Sequence, residues 1–178
     1  MSTKMTKRKS RGASGLHASH ADLVAALRGP HILNQMYWIY QSGRLGALKR
    51  LSKKGHPKLS LAHALLISSV DPQGTRIGVL AARTNKTKQF TGRLVQELEK
   101  RGYLAAVPDP SDGRAAIVRA TAKGVQFMAD TVEFKREFEA MLTAAIGEKR
   151  MQALTKTVDD LADFLQARGE KISTVDDA

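Results

Sequence analysis

The stretch TKQFTGRLVQELEKRGYLAAVPDPSDGRAAIVRATAKG, residues 87–124, changes its hydrophobic period twice and so decides the fold. Phe90, Leu94, Val95 and Leu98 recur at three- and four-residue steps, which predicts one apolar face of a helix closed at Gly102. YLAAV then runs apolar without helical spacing, as a strand does, and AAIVRA is its partner. Between them PDPSDG is a turn by chemistry: proline presets its own φ, aspartate bonds to local backbone and Gly113 tolerates positive φ. From Thr121 a new helix begins. The acidic turn alone fits three devices: a metal loop, a salt-bridged structural turn, or a finger for a nucleic-acid groove.

Upstream, RIGVLAAR reads as a helix begun at Thr75, and only TNK separates Arg83 from Thr87. Two short helices joined by so tight a turn form a helix-turn-helix, whose second helix can enter a DNA major groove, and the hairpin after it makes a wing. Ser60 caps a preceding helix, LAHALLISSV, stopped by DPQG. Before it, Ile32, Leu33, Met36, Ile39, Tyr40, Gly43, Ala47, Leu48 and Leu51 trace a long amphipathic helix that ends near SKKGHP. A short helix, SHADLVAALRG, is capped at Ser19 with Asp22 completing a box.

Downstream, the helix from Thr121 carries Val125, Val132 and Phe138 on its apolar side and is interrupted at Gly147. Met151, Leu154, Val158, Leu161 and Leu165 then form a coiled-coil-like seam. These stripes follow a domain that already has a core, so they predict dimerisation through the terminal helices, with or without the first long helix, or else packing on their own domain.

At 178 residues and 42% hydrophobic composition the chain is read as one globular domain with appended helices. No apolar run approaches the roughly 18 residues of a membrane span, and no secretory signal is expected in MSTKMTKRKSRGASG. The absence of cysteine excludes disulfides, thiolate metal sites and thiol redox sensing, with the cytoplasm as the default compartment. A formal charge of +12 calls for a polyanionic partner. Lys4, Lys7, Arg8, Lys9 and Arg11 form a basic leader, read as a solvated extension or an arm along phosphates. No metal is expected: Asp109 and Asp112 lack a third carboxylate at calcium-loop spacing, and His17 and His20 sit in the leader. His63 is read as a structural histidine. No cofactor and no catalytic constellation is expected, since phosphate-loop and nucleophile-elbow motifs are missing.

The recognition-helix end LVQELEKRGYL, the wing PDPSDGR and the restart TAKG together resemble the MarR family of winged helix-turn-helix transcription regulators. The resemblance implies a mainly α fold with a small β wing, in which a winged helix-turn-helix domain carries long terminal dimerisation helices. It spans residues 30–168, with the DNA-binding lobe at 58–122, dimerisation helices at 30–53 and 121–168, an extension at 1–29 and a tail at 169–178. It further implies that Thr87 caps the recognition helix and touches a phosphate, while Lys88, Gln89, Thr91 and Arg93 face the groove. Side-chain chemistry agrees: Gln pairs with adenine, Lys and Arg with guanine, and a Thr methyl with thymine. In the wing the resemblance makes Arg114 the minor-groove finger, steadied by Asp112, with Gly113 where many members carry arginine. The implied function is a homodimeric regulator of double-stranded DNA, a repressor of a pseudo-palindromic operator, released by a small aromatic effector. Met36, Tyr37, Trp38 and Tyr40 are the candidate pocket for that effector, or else core or dimer packing. The rival readings are a nonspecific nucleic-acid binder led by the basic leader and a protein-interaction winged helix.

Overall fold

The computed structural model describes residues 18–168, except the side chains of Asp112, Gly113 and Arg114. The basic leader and the acidic tail lie outside the described residues. Two compact units divide at Tyr40/Gln41.

In the first unit, α1 (His20–Arg28) starts at Ser19, whose hydroxyl accepts the Asp22 N–H while the Asp22 carboxylate accepts the Ser19 N–H. This reciprocal cap is the box read from the sequence. The Asn34 amide donates to the carbonyls of Leu27 and Gly29, at 2.9 and 3.0 Å, and so ties the end of α1 to the first turn of α2 (Ile32–Lys53).

The second unit contains the rest of α2, then α3 (Leu61–Ser68), β1 (Thr75–Arg76), α4 (Ile77–Arg83), α5 (Lys88–Lys100), β2 (Leu104–Asp109), β3 (Asp112–Ala120), α6 (Ala122–Ile146) and α7 (Glu148–Ala167). Thr75 does not begin a helix. With Arg76 it forms a two-residue strand, antiparallel to Val118 and Ile117 of β3, and the sheet order is β1-β3-β2. The pairing partner lies some forty residues away in sequence, so no local period marks β1. Gly74 permits the approach: its φ is +95°, and a Cβ there would meet Ile117 Cγ2 at 2.5 Å.

The core joins Leu51 of α2, Leu66 and Ile67 of α3, Leu80 of α4, Leu94, Val95 and Leu98 of α5, Tyr103, Leu104, Val118 and Phe127. On α6 the buried positions are Gly124, Phe127 and Asp130, whereas Val125 and Val132 are exposed. The inward face is therefore displaced from the apolar stripe read through the valines. A buried polar cluster accounts for Asp130. His56 hydrogen-bonds to its Oδ2 through Nε2 (2.9 Å) and to the Tyr103 hydroxyl through Nδ1 (3.1 Å), and Lys54 donates to Oδ1 (3.2 Å). These bonds, led by that of His56, hold the Asp130 carboxyl below its usual range despite burial. Farther along, Gly43 and Gly46 of α2 leave room for the stacked rings of Phe138 and Phe134 on α6.

Candidate nucleic-acid interface

The helix-turn-helix is set by local caps and one partly buried arginine. Arg83 Nη1 donates to the Ser69 carbonyl and pairs with Asp71, both at 2.9 Å, which fixes α4 against the end of α3. Asn85 takes φ +50° in the turn, and the Lys86 N–H returns to the Ala81 carbonyl at 2.9 Å. Thr87 then caps α5, its hydroxyl accepting the Phe90 N–H at 3.2 Å. His63 is buried: Nδ1 accepts the Ser60 N–H and Nε2 meets Glu97 at 3.0 Å, so α3 and α5 are joined by a structural histidine.

Thr87, Lys88, Gln89 and Arg93 are exposed on the first turns of α5. The Arg93 guanidinium lies over the Phe90 ring, 5.7 Å from its centroid, which steadies a long side chain in solvent. Thr91 does not face the groove. It is fully buried between Leu94, Val95 and Leu98 on the core side of α5, and its hydroxyl has no hydrogen-bond partner. The helical period carries position 91 inward with 94, 95 and 98, and that overrides the polarity that suggests an outward residue.

The wing is braced both from within and from its neighbour. The buried Asp109 carboxylate accepts the Ser111 N–H and hydroxyl, each at 2.8 Å, and the Arg76 guanidinium at 2.6 Å. The two Ser111 bonds, followed by Arg76, draw the Asp109 carboxyl down to about 2. Arg76 also donates to the Ser111 hydroxyl at 2.9 Å, so the start of α4 holds the hairpin tip. Sequence reasoning weighed Asp109 only as a weak metal ligand and passed over Arg76. The Asp-Pro-Ser-Asp run has two aspartates of like local chemistry, and nothing local says that Asp109 turns inward. Asp112 and Arg114 lie on the backbone of β3, but their side chains, and hence the expected Asp112–Arg114 pairing, lie outside the described residues.

Between α4, the start of α5 and β3 opens a hollow of about 620 Å³, bordered by Arg76, Gly78, Lys88 and Ala116. Lys88 fits there because Gly78 has no side chain; a Cβ at that position would stand 3.3 Å from Lys88 Cε. Met36, Tyr37, Trp38 and Tyr40 are all exposed on the first half of α2. Among the described residues no cluster of three or more acidic or histidine side chains is placed to hold a metal, and no helix is long and apolar enough to cross a membrane.

A MarR family model matches residues 58–115, the segment from the α2–α3 loop into β3. No curated protein sequence matches the chain. Among solved structures, the chain is similar to transcriptional regulator Tm0710 from Thermotoga maritima, with 23% identity and a TM-score of 0.59 over 76% of this chain and 94% of that one. It is similar to wild-type apo MarR from E. coli, with 14% identity and a TM-score of 0.63 over 75% and 97% of the two chains. The PcaV transcriptional regulator from Streptomyces coelicolor aligns with 17% identity and a TM-score of 0.59 over 78% and 99%. By its helix-turn-helix and wing the chain has the fold these regulators share, and its residues 58–115 match the MarR family model.

Proposed function

We propose that this protein is a homodimeric, sequence-specific DNA-binding transcription regulator, a repressor of a pseudo-palindromic operator, with binding rather than catalysis as its task. One observation carries the reading: α5 presents Thr87, Lys88, Gln89 and Arg93 outward beside a wing held by Arg76 and Asp109. A lysine in the first turn of a helix opposes the helix dipole, and no acidic residue offsets it there. That cost is recovered when the helix N-terminus meets a phosphate. Gln89 and Arg93 supply the base-edge chemistry, and the net charge of +12 favours a polyanion. Arg114 extends the reading to the minor groove.

Dimerisation is supported by the apolar surface of the long helices. Tyr37, Trp38 and Tyr40 of α2 and Leu154, Val158, Leu161 and Phe164 of α7 are exposed, apolar surface of the kind that a second protomer covers. Two reading helices related by a twofold axis would meet half-sites about 10 bp apart. Release by a small aromatic acid at Met36, Tyr37, Trp38 and Tyr40 completes the proposal, as a shift between two dimer states.

The test is footprinting and titration on the DNA upstream of the protein's own gene. Gln89→Ala and Arg114→Ala are expected to weaken the protected site while the dimer persists. Equal affinity for unrelated duplexes, or full operator binding by both variants, would reject sequence-specific reading.

A further inference from the structure

The last turns of α2 divide their cations between two faces. Arg50 pairs with Glu137 at 2.7 Å, and Lys54 with Asp130 and Glu133, so positions 50 and 54 are neutralised by α6. Lys49 and Lys53 stand one residue earlier, about 100° round the helix, and border a different surface: an open cleft of about 480 Å³ between α2 and the α2–α3 loop. Lys58 reaches the same cleft from the loop, and Ser52 and His56 complete its polar lining. None of the three lysines has a carboxylate partner among the described residues. Asp130, the acid nearest His56, is already occupied by His56 and Lys54.

Two local costs accompany this arrangement. Lys49 and Lys53 are four apart on one helix, where like charges repel. Lys58 takes φ +57°, a left-handed conformation that glycine would adopt freely and lysine does not, and the Arg101 guanidinium holds it there by donating to the Lys58 carbonyl at 2.6 Å. Leu48 and Leu59 supply an apolar wall, and a cleft of one charge sign against a low-dielectric wall focuses its field.

We infer that the cleft between Lys49, Lys53 and Lys58 is a binding site for a phosphorylated small molecule. A phosphate monoester carries about −1.5 to −2 at neutral pH, enough to offset most of the charge of three ammonium groups. Lysine binds phosphate as a point charge, whereas a planar carboxylate is best gripped by the fork of an arginine, and no arginine lines this cleft. The volume is that of a small-ligand site. The ligand would rest against His56, the same ring that joins Asp130 of α6 to Tyr103 at the head of β2.

Titration calorimetry of the full chain with inorganic pyrophosphate tests the site, alongside Lys49→Gln/Lys58→Gln, the cleft-filling Ser52→Tyr, and Lys88→Gln/Arg93→Gln as a control at α5. Wild type and the α5 control are expected to bind alike, with binding about tenfold weaker or lost in both cleft variants. The charge-neutral Ser52→Tyr separates loss of the site from a general loss of positive charge, and thermal melts report folding. No binding by wild type, equal binding by all, or a loss confined to the α5 variant would overturn the assignment. So would a cleft variant that loses affinity for a random-sequence duplex while wild type ignores pyrophosphate, since the lysines would then serve a nucleic-acid backbone.

Discussion

Arg76 and the buried Asp109 meet at 2.6 Å, and this pair joins the strand that leads into α4 to the tip of the wing. The helix-turn-helix and the hairpin are thereby one body at the point where both would face a duplex. The pair also has a chemical signature. Asp109 is depressed from 3.8 to about 2, first by the Ser111 N–H, then by the Ser111 hydroxyl and Arg76. A carboxylate with a depressed folded-state value stabilises the fold above its unfolded value, and that contribution is lost as pH falls from near 3.8 through about 2. Thermal melts across this window should decline less steeply in Asp109→Asn than in wild type; parallel declines would remove Asp109 from the acid response.

Thr91 offers the opposite sign of change. Its buried hydroxyl lacks a partner, and such a group costs about 1–3 kcal/mol to leave unpaired. Thr91→Val keeps the shape and removes the polar atom. Denaturant titration should show unchanged or raised stability, and operator affinity should be unaltered. A marked loss of DNA affinity in a stable Thr91→Val protein would return this residue to the groove.

Gly124 lies in the first turn of α6 against the start of β2 and the end of β3. A Cβ there would stand 2.3 Å from the Tyr103 carbonyl oxygen and 3.3 Å from Ala120 Cβ. Because the nearest obstacle is backbone, Gly124→Ala should destabilise by about 1–3 kcal/mol through forced displacement. Chemical denaturation measures it, and a change below the lower figure would mean that the junction yields.

On α7, Leu154 and Leu161 are half-exposed and share the seam of the terminal helix. Leu154→Glu with Leu161→Glu should shift the protein toward monomer in sedimentation velocity with the helical content of each chain largely kept. An unchanged sedimentation coefficient would move the dimer contact away from this seam.

Much of the lobe was legible because helix starts are local chemistry. Ser19, Ser60, Thr87 and Thr121 all cap the helices that follow them, each through a hydroxyl accepting an N–H three residues on. The hairpin was legible from its prolines and aspartates, although its strands run farther toward the tip, to Asp109 and from Asp112, than the apolar runs suggest. The candidate site was legible in part. Lys88, Gln89 and Arg93 are exposed as read, while Thr91 is not, since polarity at one position does not outweigh the phase of a helix whose buried face is set by Leu94, Val95 and Leu98.

The sequence by itself determined the helices, their caps and the turn of the hairpin, because each rests on residues within a few positions of one another. Tertiary structure alone decided that Asp109 is buried against Arg76, that Thr75 and Arg76 form a strand, and that Asp130 turns inward to His56. It alone divided the lysines at the end of α2 between α6 and an open cleft. Each of those outcomes depends on a partner brought from another part of the chain, Arg76 to Asp109, β1 to β3, His56 to Asp130 and Lys54 to Asp130, and no local pattern records such a partner.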